Sequence, residues 1–221
     1  MAHFPAPEHI LSLSTVCVGV GPGGTTSMVA RIVVVNFQGE TILDKFVAPT
    51  VPVVDYRAAQ TGITAWHLSS KDPIPFNVLQ STLAKLFRGK IVVGHSIWEH
   101  LSGSLICLLA ILSVIYMYFQ CSVFRILLWL RGMSLCIRLI RLLLSQPFRN
   151  ALRTPNQVIG LQTLCWQLMR RRCGEGLIDP AENARAGMDL YRSHAPEWEA
   201  SIARGNWPCS LPPPTYSRCY L

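Results

Sequence analysis

Apolar and turn-forming positions near the start of the chain follow the pattern of an antiparallel sheet. A mostly apolar segment at residues 10–21 leads into a Pro-Gly-Gly turn at 22–24, where glycine permits backbone angles that other residues avoid. Residues 30–37 form a β-branched apolar run typical of a buried strand, and a Gln-Gly-Glu turn at 38–40 precedes a third strand at 41–47. Three strands joined by tight turns predict an antiparallel meander.

The apolar periodicity then changes from that of strands to that of helices. Residues 76–87 carry apolar side chains at the spacing of an amphipathic helix, and residues 91–93 form a short apolar strand followed by a Gly-His pair. Two more amphipathic helices are predicted at residues 157–172 and 180–192. The order of elements predicts an α/β fold, with a mixed sheet that contains the meander and is flanked by helices.

Residues 101–146 interrupt this order with an apolar and basic stretch. No charged residue occurs from 105 to 124, and residues 101–174 contain nine Arg but no Asp or Glu. An uncharged run of this kind approaches the roughly 20 residues that span a bilayer, so one interpretation is membrane contact through 105–124. A buried extra helical segment is the second interpretation, and a stretch translated from an intron or a shifted frame is the third. The sequence does not decide between them.

Composition narrows the class of protein and its partners. Half of the 221 residues are hydrophobic and 14% are charged, which excludes an intrinsically disordered chain. The net charge of +8 is compatible with a nucleic-acid or anionic-membrane partner. The eight Cys form no CxxC motif, which favours a reducing compartment over a disulfide framework. The first ten residues lack the pattern of a secretory signal, so none is expected.

Four segments resemble the RNA exonuclease 4 family in matching order and spacing: residues 18–50, 55–68, 76–98 and 182–199. The resemblance implies a ribonuclease-H-like 3′–5′ exonuclease domain of the DEDDh class at residues 10–200. An insertion at 101–146 interrupts this domain, and a Pro-containing tail at 201–221 follows it. The resemblance also implies a role in ribosomal RNA processing, RNA or single-stranded nucleic acid as partner, and the nucleus or nucleolus as location.

Nucleases of this class hold two Mg²⁺ or Mn²⁺ ions between carboxylates, and the ions activate water and stabilise the leaving oxygen. Position by position, the resemblance places the four acidic ligands on Ser14, Val16, His100 and Asn183. It places the general-base His on Ile178. All five residues have been replaced, so no intact catalytic or metal-binding set is predicted. Without the negative charge, high-affinity binding of paired Mg²⁺ or Mn²⁺ ions is not expected.

Three functions from different classes remain open. The first is a pseudo-enzyme of the exonuclease family that binds RNA through basic residues, for which the candidates are Arg57, Lys90 and Arg153. The second is an active metal-dependent 3′–5′ exonuclease with rearranged ligands, drawn from Asp44, Asp55, Glu99, Asp179 and Glu182. The third is a membrane-attached scaffold protein. Retention of the fold-defining glycines together with loss of the catalytic charges favours the first.

Overall fold

The computed structural model of the chain describes residues 5–70, 72–95 and 160–204. Its strands are β1 (Ile10–Val20), β2 (Thr26–Asn36), β3 (Thr41–Phe46), β4 (Val53–Asp55) and β5 (Ile91–Val93). Its helices are α1 (Ala58–Thr61), α2 (Ala65–Ser69), α3 (Phe76–Leu86), α4 (Leu161–Met169) and α5 (Pro180–Ala203). Short 3-10 turns at Pro7–His9 and Pro22–Gly24 precede and follow β1.

The predicted meander forms one side of a mixed five-stranded sheet with β1 at its centre. β1 pairs antiparallel with β2, and β2 pairs antiparallel with β3. On its other edge, β1 pairs antiparallel with β4 near Val20 and parallel with β5 near Ile10. The β1–β2 register shifts at Val16/Cys17, which marks a bulge. The α/β fold with a mixed sheet is therefore confirmed.

Side chains on the two faces of β1 enter different parts of the core. Leu11 and Leu13 pack with Leu79 and Leu83 of α3 on one face. Because side chains alternate along a strand, Ile10, Ser12 and Ser14 point to the opposite face, which α4 and α5 cover. Of the two candidate positions on β1, Ser14 therefore faces α5 rather than α3.

Some element boundaries differ from the predicted ones. β2 begins at Thr26 rather than at residue 30, because the polar start of this strand lies at the exposed end of the hairpin, where pairing needs no apolar side chain. α4 ends at Met169 rather than at 172, because Arg170 adopts a left-handed conformation with φ of 55°. α5 continues to Ala203 rather than ending at 192, with Pro196 inside it.

The predicted insertion at 101–146 lies outside the described residues, as does the tail beyond 204. Within the ranges 5–70, 72–95 and 160–204, no helix has the length and apolar character needed to cross a bilayer. Membrane contact through 105–124 remains a prediction, and so do the boundaries of the exonuclease-like domain at 10–200.

Candidate functional site

The first turns of α5 pack directly against β1. The Ser12 hydroxyl donates a buried hydrogen bond of 2.7 Å to the carbonyl oxygen of Ala184. Gly187 lies over the same residue, since a Cβ at that position would lie 3.4 Å from the Ser12 Oγ, an ordinary contact distance. Ala184 also packs against Val33, which is the cross-strand partner of Ser14. The fold therefore brings Ser14 on β1 and Asn183 on α5 to the same region of the sheet.

The two candidate positions on β1 are buried and carry no charge. Ser14 is 3% exposed and Val16 is 4% exposed. Val16 packs in an apolar cluster with Ile63 and Leu68. A divalent cation needs oxygen ligands and negative charge, but Val16 has no donor atom and Ser14 offers a neutral hydroxyl. These side chains do not fit a pair of Mg²⁺ or Mn²⁺ ions.

The remaining candidate positions are distributed over α5, the loop before it and undescribed parts of the chain. Asn183 is half-buried in the first turn of α5, where its backbone N–H donates to the Asp179 carbonyl at 3.0 Å. Ile178 is 40% exposed, and its backbone N–H donates to the carbonyl of Gln60 at 2.8 Å. His100 lies outside the described residues. The loop that carries Ile178 is thus bound to α1, beside the region of Ser14 and Asn183.

Arg31 on β2 is a charged residue near the candidate positions that the sequence patterns did not single out. Arg31 is the cross-strand partner of Val16 on β2. Its guanidinium donates to both carboxylate oxygens of Asp44, at 2.9 and 2.8 Å, and lies 3.5 Å from the Asp179 carboxylate. The hydrogen bond to Asp44 raises the pKa of Arg31 above its usual value, so the group is a permanent cation. The sequence did contain a signal for this residue, because Arg31 is the one charged residue in the apolar run of residues 28–35.

The acids proposed for a rearranged metal site already have other partners. Arg31 holds Asp44 and Asp179, and the Asp55 carboxylate accepts the backbone N–H of Arg57 at 2.8 Å. The Glu182 carboxylate accepts the backbone N–H of Gly174 at 3.2 Å. Glu99 lies outside the described residues. Across the described part of the chain, no three His, Cys, Asp or Glu side chains are grouped so that they could hold a metal ion.

Arg57 lies over the turn that follows β1. Its backbone is left-handed, with φ of 50°, and its guanidinium donates to the Ser27 hydroxyl at 3.1 Å and to the Gly24 carbonyl at 3.3 Å. Burial raises the pKa of the nearby Cys17 thiol, and a hydrogen bond from Thr15 and the charge of Arg57 oppose that rise. The result is a cation fixed beside a neutral, half-buried thiol at the end of β1.

The three predicted nucleic-acid-binding residues do not form one cluster in the described structure. Lys90 precedes β5 and donates from Nζ to the Glu8 carbonyl at 2.8 Å, near the start of β1. Arg57 lies near the other end of β1, and this 11-residue strand separates the two residues by roughly 34 Å at ~3.4 Å per residue. Arg153 lies outside the described residues. Of the two described residues, Arg57 is the one at the end of β1 that lies nearer to Val16.

Comparisons with known proteins identify the domain type. No family model matches the chain. The chain is 32% identical to RNA exonuclease 4 of Debaryomyces hansenii over 200 residues, which cover 90% of this chain and 62% of the relative. It is 29% identical to apoptosis-enhancing nuclease of Homo sapiens over 210 residues, covering 94% of this chain and 56% of the relative. This chain is a homologue of RNA exonuclease 4 and carries an exonuclease domain.

The exonuclease domain also has close fold neighbours among solved structures. It is similar to the catalytic unit of Neurospora crassa Pan2, with a TM-score of 0.60 and 17% identity over 99% of this chain and 30% of that one. A Pan2 module of Saccharomyces cerevisiae, solved in complex with A7 RNA, matches with a TM-score of 0.58 and 15% identity over 93% of this chain and 33% of that one. At these identities the likeness shows the fold. The chain spans about half the length of the curated relatives it matches.

Proposed function

We propose that this exonuclease homologue binds single-stranded RNA without performing efficient metal-dependent cleavage. One feature carries the proposal: the described part of the chain has the exonuclease fold, and neutral residues occupy the positions that the resemblance assigns to the metal ligands. Ser14 and Val16 on β1 are buried and uncharged, and Asn183 on α5 brings an amide in place of a carboxylate. A pair of divalent cations would therefore repel each other without anionic ligands to offset the repulsion.

RNA binding is the part of the family chemistry that needs no metal. Arginine side chains contact phosphates directly, and such contacts provide most of the sequence-independent affinity for nucleic acid. Arg57 presents a cation at the rim of the candidate site, held in place by the Gly24 carbonyl and the Ser27 hydroxyl. The homologues named as RNA exonucleases, and the Pan2 neighbour in complex with RNA, support RNA as the ligand class.

The decisive experiment measures binding and cleavage on the same RNA. The full chain is incubated with 5′-labelled single-stranded RNA, with and without Mg²⁺ or Mn²⁺, and RNA exonuclease 4 serves as the active control. We expect retained binding without stepwise shortening, and weaker binding by the Arg57→Ala variant. Metal-dependent removal of single nucleotides from the 3′ end would instead support an exonuclease with rearranged ligands.

A matched variant separates intrinsic cleavage from contamination. Ser14→Ala combined with Asn183→Ala removes the polar side chains at two of the candidate metal positions while leaving Arg57 in place. Cleavage that disappears in this variant belongs to the chain and contradicts the proposal. Cleavage that persists unchanged is tested again after Asp55→Asn and Glu182→Gln are added, and only cleavage that survives these changes is assigned to a co-purified nuclease.

A further inference from the structure

An exposed tryptophan near the end of α4 is in contact with two arginines. Trp166 is 45% exposed. The guanidinium carbon of Arg172 lies 5.5 Å from the centre of the indole ring, and that of Arg170 lies 5.9 Å from it. Isolated exposed hydrophobic side chains are common on proteins, but an indole ring flanked by two cations is a specific arrangement.

The backbone after α4 places these side chains on the outside of the helix. α4 buries Leu164 and Cys165 in the core, so the next residue, Trp166, lies on the outer face. Arg170 ends the helix in a left-handed conformation, and its N–H donates to the Trp166 carbonyl at 3.0 Å. Arg171 pairs instead with Asp189 of α5. Of the three consecutive arginines, Arg171 therefore anchors the segment to α5, whereas Arg170 and Arg172 contact the indole ring.

The flanking arginines keep most of their capacity for an anionic ligand. Among the ion pairs of residues 5–70, 72–95 and 160–204, none involves Arg170. Arg172 lies 3.4 Å from Glu175, but both side chains are 71% exposed, and pairs of this kind contribute little. A base can stack on an indole ring while guanidinium groups contact the neighbouring phosphates. An acidic protein would use the charges but would not need the ring.

One segment of backbone connects this arrangement to the candidate site. After Arg172, the N–H of Gly174 donates to Glu182 on α5, and the N–H of Ile178 donates to Gln60 on α1. α1 follows Arg57 directly. The loop from 170 to 179 thus runs from the tryptophan to the region of Arg57 on the α5-covered side of the sheet.

We infer that Trp166, Arg170 and Arg172 form a binding platform for single-stranded RNA, separate from the degenerate metal site. A base stacks on Trp166 in place of a guanidinium group, and the two arginines turn from the ring to the neighbouring phosphates. This inference rests on the proposed function, since it assumes that the chain binds RNA. It assigns part of that affinity to residues to which the resemblance gives no role.

The test compares RNA affinity and its salt dependence across variants of the full chain. Fluorescence anisotropy with a labelled oligouridylate of about ten nucleotides gives the affinity at several salt concentrations. We expect Trp166→Ala to bind about tenfold more weakly and Trp166→Phe to stay within about threefold of the unaltered chain, because phenylalanine still stacks. The double variant Arg170→Gln, Arg172→Gln should also reduce the salt slope by about 1.4, the value for two lost phosphate contacts on a single strand.

Arg88→Gln is the matched control, because Arg88 is an exposed arginine that follows α3 on the other face of the sheet. It should leave the affinity unchanged. If Trp166→Ala does not fold, as judged by circular dichroism, Trp166→Phe and the double arginine variant still test the inference.

Three outcomes overturn the inference. If the unaltered chain binds RNA and the platform variants bind equally well, the platform is wrong and the proposed function stands. If the unaltered chain does not bind RNA at low salt, both are wrong. If the arginine variants lose binding of a polyglutamate probe but keep binding of RNA, the patch is a protein-binding surface.

Discussion

Gly19 lies where β1 passes closest to the turn that follows it. A Cβ at this position would lie 2.5 Å from the carbonyl oxygen of Gly24, which is too short for a non-bonded contact. The same carbonyl accepts a hydrogen bond from the Arg57 guanidinium. The absence of a side chain at Gly19 therefore allows the turn to close and gives Arg57 its partner.

Substitution Gly19→Ala is expected to affect both stability and RNA binding. The added methyl group must displace backbone, so the free energy of unfolding should fall by about 1–3 kcal/mol, the usual cost of overpacking. RNA affinity should fall as well, because Arg57 loses its fixed position. Urea unfolding followed by circular dichroism measures the first effect, and anisotropy titration measures the second.

Gly160→Ala provides the comparison, since a Cβ there meets nothing within 4 Å. It should lower the unfolding free energy by about 0.5 kcal/mol, because Gly160 is the N-cap of α4 and alanine is a poorer cap. Its RNA affinity should not change. Equal effects of the two substitutions would show that the contact between Gly19 and Gly24 does not control this turn.

At the scale of secondary-structure elements, Arg31 joins three of them on the α5-facing side of the sheet. From β2 it binds Asp44 on β3 and approaches Asp179, which precedes α5. The Asp179 carboxylate also accepts the backbone N–H of Ala181 at 3.1 Å, as a capping residue does at a helix start. Two acids near the candidate site thus hold strands and helix together, which explains their presence without a metal.

A double-mutant cycle on Arg31 and Asp44 tests this structural role. Arg31→Gln and Asp44→Asn should each lower the unfolding free energy by about 1–2 kcal/mol, because each leaves a charge without its bidentate partner. The double variant should lose less than the sum of the two, with a coupling energy of at least about 0.5 kcal/mol. The coupling should shrink in 1 M salt, since the side chains are 26% and 38% exposed. If the two losses of unfolding free energy are strictly additive, the ion pair does not stabilise the contact between β2 and β3.

At the scale of the whole molecule, sequence patterns were sufficient for most of the sheet but not for the tertiary contacts around the candidate site. Alternating apolar residues and turn glycines were sufficient for the meander and β5, since both depend on local periodicity. The short strand β4 was missed, because Val53–Asp55 has neither the length nor the alternation that marks a strand. The separation of Lys90 from Arg57 was also missed, because it follows from the length and pairing of β1.

The candidate positions themselves came from the family resemblance rather than from any pattern in the residues. Ser14 and Val16 are ordinary strand residues, and only their fixed distance from the hairpin glycines singles them out. The cross-strand neighbour Arg31 and its two carboxylates depend on pairing between distant segments, which residue spacing does not reveal. The fold is thus largely encoded in local periodicity, whereas the charge balance of the site depends on tertiary contacts.

If the fold still positions the metal ligands, restoring carboxylates at the candidate positions should restore stabilisation of the chain by a divalent metal ion. The triple variant Ser14→Asp, Val16→Glu, Asn183→Asp introduces carboxylates at the two candidate positions on β1 and the one on α5. Without metal it should be several kcal/mol less stable than the unaltered chain, because two of these positions are almost fully buried. Mn²⁺ at ~100 times its dissociation constant should then raise the unfolding free energy of the triple variant by about 2.7 kcal/mol. For a domain of this size, that increase raises Tm by about 5–10 °C. The unaltered chain should show no such rise.

The neutral variant Ser14→Asn, Val16→Gln separates the effect of charge from that of side-chain size, because it adds similar volume without negative charge and should not respond to Mn²⁺. Differential scanning calorimetry with and without Mn²⁺ provides the measurement. An equal rise in the unaltered chain would show that it still holds the metal, and the proposed loss of catalysis would then have no physical basis. A triple variant that ignores Mn²⁺ would show that the three positions do not converge on one cation site. Cleavage is not expected even from a responsive triple variant, because Ile178 stands at the position that the resemblance assigns to the general base.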